Sequence, residues 1–316
     1  MKKILLMAAA AAAMFSSCVG NDNGAEELEP IIPGLQLYDY ASVQNHIALQ
    51  PVDMAMRLAV LEAEADKQEA STGTRPELES VRVGATQLYE SFFGENNGTR
   101  IEKLGGGDYR ITFDPRTITD YYMCRGTMTV KTGGQPLSRS EMTAPWTVEL
   151  DPGFQVLLAT SSGAGYQAVD LSAGSYSIYR SLSLYRVEMQ GAVASQSGKT
   201  IRSSWNGSFS LTPPQGGEAL AWSDFAGKNF TVDGSASGDT LFSLDNATPL
   251  SMVYQVEAGL YLGSLQILGG KETCRLVNGA LYTETFPSPV VTISWQLYGN
   301  YTLRQTVVYN GYTVTR

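Results

Sequence analysis

The residues that could act as nucleophiles in this chain have a single histidine, His46, to activate them. Nucleophilic catalysis by serine or cysteine needs a general base within hydrogen-bond reach. The chain has neither a Gly-x-Ser-x-Gly elbow nor a Ser-x-x-Lys motif. Cys124 and Cys274 lie in strand-like runs, where a thiolate is costly. The residues therefore indicate no catalytic triad or dyad, and we expect that the protein is not an enzyme.

The sequence also offers little for a metal ion or a cofactor. Zinc sites need clustered cysteine and histidine, which a single histidine and three cysteines do not supply. Residues 233–239 begin like a calcium-binding loop, but the twelfth position is Leu244, where a bidentate glutamate is required. We interpret this segment as a hairpin loop rich in turn formers. No metal and no cofactor is predicted.

Tyrosine gives the one positive indication of binding, because the chain contains 17 of them and many lie in strand-like segments. Exposed aromatic rings can stack on sugars or dock a protein partner, since each ring combines apolar area with a polar tip. The alternative is that tyrosine is common here because it suits β-strands. The candidate ligand-binding residues are Tyr176, Tyr179, Tyr185, Tyr298 and Tyr312.

Composition limits the partners and the fold. The formal net charge of −9 makes nucleic acid a poor partner. Hydrophobic residues make up 43% and charged residues 17%, so a substantial core is available. A pair of carboxylates could hydrolyse glycosides, but the 31 acidic residues include no pair that the sequence singles out.

The N-terminus has the order of a secretory signal peptide. Lys2 and Lys3 form a basic start, residues 4–15 are an unbroken apolar run, and two serines precede Cys18. The run is too short to cross a bilayer comfortably, since about 20 residues are needed. Residues 1–17 are therefore predicted to be a signal peptide.

The last four residues of this segment, Phe15-Ser16-Ser17-Cys18, resemble the lipobox of bacterial lipoproteins, in a form similar to the looser boxes of Bacteroidota. The resemblance implies that Cys18 becomes the first mature residue and carries the lipid. Stable anchoring takes more than one acyl chain, a condition that a triacylated cysteine meets. We expect an outer-membrane lipoprotein of the cell envelope, on the periplasmic face or the cell surface. The alternative is an ordinary secreted protein.

Residues 18–37 are predicted to be a flexible tether, because their charged residues are all acidic and Pro30 and Pro33 oppose regular structure.

Residues 38–98 have helical periodicity and are expected to pack on a sheet. Pro51 suits the first turn of one helix. A second helix is predicted from a capping box at Thr74 to Gly94. The apolar stripe of the first helix is Met54, Leu58, Leu61 and Ala65.

Residues 99–316 alternate apolar and polar positions, as strands with one buried and one wet face do. The fold class is therefore mainly β, with antiparallel, hairpin-rich meander sheets and a short N-terminal helical hairpin. Gly107, Gly174 and Gly238 open similar segments, which suggests units of about 65 residues. Chance similarity among strands rich in glycine, serine and tyrosine explains these segments nearly as well.

The clearest pattern is at the C-terminal end. Gly299-Asn300 and Asn310-Gly311 are two-residue turn signals that separate three strands, and tight hairpins force antiparallel neighbours. This end is therefore predicted to be a β-meander. On the middle strand, Leu303, Val307 and Tyr309 are expected to face the core, and Arg304 and Val308 the solvent.

Two further questions stay open at the level of sequence. Export would allow Cys124 and Cys274 to form a disulfide, whereas the alternative is two separately buried thiols.

The function is expected to be that of a non-enzymatic binding or scaffold module, held at the membrane by Cys18. The alternative is a carbohydrate-binding accessory protein or a glycoside hydrolase of the outer membrane. The expected partner is a polysaccharide or another envelope protein.

Overall fold

The structure is a computed structural model that describes most of the chain from residue 32 onward. The described residues are 32–93, 98–114, 123–137, 142–159, 166–172, 174–181, 184–196, 202–212, 229–239, 249–261, 264–276, 288, 290–298 and 303–315. Cys18 and the predicted signal peptide lie outside this part. Within it, no helix combines the length and the apolar character needed to cross a membrane. The fold is mainly β with antiparallel pairing, which confirms the predicted fold class.

The helical part precedes the sheet. Helix α1 spans Ile32–Thr72 and α2 spans Leu88–Phe93. Between them lie a 3-10 turn, Leu78–Ser80, and a small hairpin of β1 (Arg82–Val83) and β2 (Thr86–Gln87).

One large sheet contains all the remaining strands. They are β3 (Arg100–Lys103), β4 (Tyr109–Phe113), β5 (Met123–Lys131), β6 (Trp146–Leu150), β7 (Gln155–Ala159), β8 (Tyr166–Ser172), β9 (Ser175–Ser181), β10 (Leu184–Gln196), β11 (Arg202–Thr212), β12 (Asn229–Asp239), β13 (Pro249–Tyr261), β14 (Ser264–Leu276), β15 (Val290–Leu297), β16 (Leu303–Tyr309) and β17 (Tyr312–Thr315).

The sheet is a continuous antiparallel meander. From β10 to β17, each strand pairs with the next one along the chain. Strands β6 and β7 pair with successive parts of β5, and β9 and β8 pair with successive parts of β10. In addition, β6 pairs with β9 and β7 pairs with β8. The segment β6–β7 therefore acts as one strand that is bent in the middle, and so does the segment β8–β9.

The bends lie where neighbouring backbones approach too closely for a side chain. Gly126 has a φ of 98°, and a Cβ there would lie 2.9 Å from the carbonyl oxygen of Gly153. Gly174 has a φ of 85°, and a Cβ there would lie 2.5 Å from Cα of Ala192. Glycine at such positions lets the strands bend, and bent strands allow a sheet to curve.

The curved sheet encloses α1. Every residue from 50 to 61 is buried, so this stretch of the helix is covered on all its sides. A helix that is covered all round requires neighbours on every face. Accordingly, α1 contacts strands from early in the sheet, such as β6 and β7, and from late in the sheet, such as β14 and β16. Helix and sheet share one hydrophobic core.

The helical segment differs from the prediction in two ways. Helix α1 begins at Ile32, so residues 32–37, which were predicted to belong to the flexible tether, are helical, and the helix continues through Pro51. The cost of an internal proline, about 3 kcal/mol, is offset by burial on all sides of the following residues. The second predicted helix is reduced to α2, because Gly84 adopts a φ of 61° and turns the chain into the β1–β2 hairpin. The predicted helical segment therefore contains one long helix and one short one.

Two features of the sheet also correct the sequence interpretation. Residues 233–239 form the end of β12 rather than a hairpin loop, with Ala236 buried and Ser235 and Ser237 exposed. Gly107 and Gly174 precede strands, whereas Gly238 is within β12, so the third of the similar segments does not open a strand.

The C-terminal meander follows the predicted pattern. β16 pairs with β15 on one side and with β17 on the other. Asn310 and Gly311 have φ values of 48° and 86°, the positive pair that a type I′ turn requires. Val307 and Tyr309 are buried, while Arg304 and Val308 are exposed, so the predicted facing of these residues is confirmed. The Leu303 side chain and residues 299–302 lie outside the described part.

Candidate functional site

The five candidate tyrosines divide between the two faces of the sheet. Tyr176 on β9 and Tyr185 on β10 are 0% and 1% exposed, because their strands turn these positions toward α1. Tyr179 and Tyr298 are each 38% exposed, and Tyr312 is 44% exposed. The assignment of Tyr176 and Tyr185 as ligand-binding residues is therefore wrong: a period of two places both of them inside. Three tyrosines remain available at the surface.

The buried tyrosines are part of the core and of its few polar contacts. The guanidinium carbon of Arg180 lies 5.9 Å from the ring centre of Tyr185, and Arg180 itself is only 2% exposed. The backbone N–H of Arg180 donates a hydrogen bond of 3.3 Å to Sδ of Met142. Burial raises the pKa of Tyr176 well above its ordinary value, so the phenol stays neutral. Tyr176, Tyr185 and Arg180 are therefore part of the packed core rather than of a binding surface.

Tyr298, by contrast, is the centre of a solvent-facing cluster at the end of β15. Its hydroxyl donates a hydrogen bond of 3.0 Å to Oε1 of Gln296, and it accepts one of 3.3 Å from Nη1 of Arg304. The guanidinium carbon of Arg304 lies 4.8 Å from the centre of the tyrosine ring. Gln296 and Arg304 are direct cross-strand partners. We call these three residues the Tyr298 cluster.

The Tyr298 cluster belongs to a larger surface formed by the outward side chains of β14, β15 and β16, which we call the terminal face. Three of its residues are cationic, and the rest are hydroxylic, aliphatic, amide or aromatic. None of the described residues that point outward here is acidic, since Glu272, the only acid described in these strands, is buried. The terminal face consists of Lys271, Thr273, Arg275, Val290, Thr292, Ser294, Gln296, Tyr298, Arg304, Thr306 and Val308.

The chemistry of the terminal face is that of recognition. An amide, several hydroxyls and a guanidinium can donate hydrogen bonds outward, and the tyrosine ring offers an apolar surface for stacking. Within the described part of the chain, no group of three or more His, Cys, Asp or Glu side chains is arranged to hold a metal ion. The sequence analysis singled out Tyr298 but missed Arg304 and Gln296. Cross-strand pairing, which the turn signal at residues 299–300 already indicated, was the clue that could have found them.

A second group of charged residues lies inside the fold, where α1 is surrounded. Nε of Arg57 lies 3.1 Å from both carboxylate oxygens of Asp53, and both side chains are 0% exposed. The Arg57 guanidinium carbon lies 5.4 Å from the centre of the Phe92 ring. Asp53 and Arg57 are one helical turn apart, so α1 itself sets the geometry of this ion pair.

The two cysteines are separate, buried and free. Cys124 lies on β5 and Cys274 on β14, which are not neighbours in the sheet. Burial raises the pKa of Cys124 and the charge of Asp53 adds to this, whereas Arg57 and the amide of Gln50 lower it. Burial and the charge of Glu272 raise the pKa of Cys274. Of the two alternatives, the structure has the two buried thiols rather than the disulfide.

One more polar cluster joins the end of α1 to the sheet. Nη2 of Arg75 lies 2.9 Å from Oε2 of Glu62, and the same guanidinium pairs with Asp66 and Glu69. The hydroxyl of Tyr109 donates a hydrogen bond to Glu62. A glycosidase needs one carboxyl group that holds a proton and a second that attacks or activates water. Glu62, Asp66 and Glu69 all pair with the one guanidinium of Arg75. We therefore interpret this cluster as a structural link between α1 and the sheet rather than as a catalytic site.

The comparisons with known proteins provide no relative from which a function could be transferred. No family model matches the chain, and searches of curated proteins and of solved structures found no significant match. The function has to be argued from the residues themselves.

Proposed function

We propose that this chain is a lipid-anchored protein of the cell envelope that acts as a non-enzymatic binding module, with the terminal face as its binding surface. The observation that carries the binding half of the proposal is the Tyr298 cluster. It combines an exposed aromatic ring with a guanidinium and an amide that are each within hydrogen-bond distance of the tyrosine hydroxyl. Arginine and tyrosine, together with tryptophan, are the residue types enriched among the residues that contribute most to binding at protein–protein interfaces.

The charge distribution supports the same surface. The chain is acidic overall, yet the outward residues described on β14 to β16 include cations and no acid. A ligand that approaches this face meets donors and an aromatic ring rather than carboxylates. We assign no reaction to the protein, because Asp53 and Glu62, the carboxylates of the two charged clusters described above, are engaged in ion pairs with Arg57 and Arg75.

The anchoring half of the proposal rests on the sequence Phe15-Ser16-Ser17-Cys18 and its resemblance to a lipobox. Acylated Cys18 would hold the folded domain at the membrane through the acidic tether. Replacing Cys18 with alanine is expected to release the protein from the membrane fraction. If the variant stays in the pellet after a salt wash, the anchor assignment is wrong.

The binding half is tested by two matched variants, Tyr298→Ala and Tyr179→Ala. Both tyrosines are 38% exposed, but Tyr179 lies on β9, away from the terminal face. We expect the mature chain to bind at least one class of envelope glycan on a glycan array or one envelope protein in a pull-down. Tyr298→Ala should weaken that binding at least fivefold, and Tyr179→Ala should change it less than twofold. Equal losses for the two variants would contradict the assignment of the terminal face.

A further inference from the structure

The cations of the terminal face differ from two cations on the first strands of the sheet, Lys131 and Arg110, which pair with carboxylates. On β5 and β6, Nζ of Lys131 lies 2.6 Å from Oε1 of Glu149. On β3 and β4, Nη1 of Arg110 lies 3.6 Å from Oε2 of Glu102. In the described part of the chain, neither Lys271 nor Arg275 has a carboxylate partner, although both are exposed. Their positive charge is therefore available to a ligand.

Strand geometry sets the distances between these cations. Lys271 and Arg275 are four residues apart on β14, which places their Cα atoms about 13 Å apart. Lys271 pairs with Ser294, and Ser294 pairs with Thr306, two residues beyond Arg304. Two strand spacings and two residue steps put Arg304 about 12 Å from Lys271. Arg275 pairs with Val290, and Arg304 pairs with Gln296, six residues farther along β15, which places the Cα atoms of the two arginines about 22 Å apart. A single small anion cannot contact both arginines, so a ligand that uses all three cations has to be extended and to carry several negative charges.

The residues between the cations indicate what kind of polymer this is. Thr273, Thr292, Ser294 and Thr306 are half-buried and present hydroxyl groups at the level of the sheet. Hydroxyl groups pair readily with other hydroxyl groups as donors and acceptors. At one end of the row, the Tyr298 ring offers a face on which a sugar can stack. The surface thus combines charge, hydroxyl pairing and one stacking platform.

We propose that the terminal face binds an anionic polysaccharide, one that carries carboxylate or sulfate groups along a hydroxyl-rich chain. The inference rests on the proposed function, because it names the ligand class of the same surface. The guanidinium groups of Arg275 and Arg304 suit the planar carboxylate in particular. The net charge of the chain is −9, so the attraction comes from this face rather than from the field of the whole protein.

The test is affinity electrophoresis of the mature chain in gels that contain polygalacturonate, alginate, chondroitin sulfate or heparin. Fully methyl-esterified polygalacturonate is the neutral counterpart with the same backbone, and poly-glutamate is an acidic chain without sugars. We expect retardation by at least one anionic polysaccharide and at least tenfold weaker binding to both controls. Added salt should weaken the interaction, because screening reduces the attraction between exposed charges.

Variants then connect the binding to the terminal face. The triple variant Lys271→Gln, Arg275→Gln, Arg304→Gln removes three exposed charges, and we expect its binding to be about tenfold weaker or more. Lys131→Gln, which removes a cation paired with Glu149, is the matched control and should stay within twofold of the parent. Thermal melts that match the parent would show that the variants are folded.

Each remaining outcome has a defined meaning. Equal binding of the methyl-esterified polymer, with loss in Tyr298→Ala, would overturn the anionic assignment and leave the proposed binding function intact. Poly-glutamate binding as tightly as the best polysaccharide would overturn it in favour of an acidic protein segment. No binding to any polysaccharide would overturn the inference, and the glycan array and pull-down would then decide the proposed function separately.

Discussion

The described part of the fold has the same pair of side chains, an arginine over a tyrosine ring, in two opposite environments. Arg180 and Tyr185 lie inside the sheet at 5.9 Å and are almost completely buried. Arg304 and Tyr298 lie on the terminal face at 4.8 Å and are exposed. Burial makes the first pair part of the core, where each group depends on its neighbours. Exposure leaves the second pair able to exchange water for a ligand, so residue type alone does not determine the role.

The largest expected effect concerns the buried charges around α1. Arg57→Ala removes one partner of the Asp53–Arg57 pair and leaves a carboxylate without its counter-charge in an apolar interior. Breaking such a pair typically costs about 3–5 kcal/mol. Urea unfolding should show this loss, whereas Lys131→Ala, which breaks an exposed pair, should cost less than about 1 kcal/mol.

A double variant sharpens this first comparison. Asp53→Leu combined with Arg57→Met replaces both charges with apolar groups of similar size, and we expect it to recover most of the stability that Arg57→Ala loses. If Arg57→Ala and Lys131→Ala lower the stability equally, the interior of the sheet is not the dry environment that the 0% exposure of this pair indicates.

The two tyrosines of the opening comparison should differ almost as much. Tyr185→Ala removes a fully buried ring and is expected to cost about 3 kcal/mol in the free energy of unfolding. Tyr298→Ala removes a ring that is 38% exposed and should change stability by less than about 0.5 kcal/mol. Both values come from urea melts of the mature chain. Equal midpoints for the two variants would show that the faces of the sheet are assigned incorrectly.

A smaller effect is expected when the pH is raised. Burial raises the pKa of the thiols of Cys124 and Cys274 and of the phenol of Tyr176 in the folded state. The unfolded chain then loses these protons first, so stability is fully present below the ordinary pKa values of 9.0 and 10.0 and falls as the pH rises above them. The melting temperature should be level from pH 7 to pH 8 and fall above pH 9.

A matched variant and a labelling control test the cause of that fall. Cys124→Ser together with Cys274→Ser should reduce the alkaline loss that begins near pH 9, and leave the part due to Tyr176, Tyr109 and Tyr89, whose pKa values burial also raises. In the native protein at pH 8, a thiol reagent should label neither cysteine until urea unfolds the chain. Rapid labelling without urea would contradict the burial of both thiols.

The C-terminal meander was accessible from sequence because its signals are local. A two-residue type I′ hairpin requires two positive φ values, and the sequence Asn310-Gly311 suits them, so both the turn and its antiparallel neighbours could be predicted. Alternation then assigned Val307 inward and Val308 outward. These inferences depend on residues that are close together in the chain.

Features that depend on distant residues could not be read in the same way. The helix around Pro51 is buried on every side, so no single apolar stripe marks where it begins. Tyr176 and Tyr179 lie three residues apart on one strand and face opposite sides, yet both looked like candidates. The terminal face brings Lys271 on β14 within two strand spacings of Arg304 on β16 through the register of three strands, which no motif in the sequence encodes.

The most direct test of the account is a lysine-labelling footprint of the mature chain, with and without the anionic polysaccharide that binds it best. Acetylation rates are measured by mass spectrometry at Lys271 on the terminal face and at Lys67 and Lys131 elsewhere. We predict that the polysaccharide slows the labelling of Lys271 at least fivefold and changes the other two less than twofold. Equal protection of the three lysines, or a Lys271 rate that the polysaccharide does not change, would contradict the assignment of the terminal face as the binding surface.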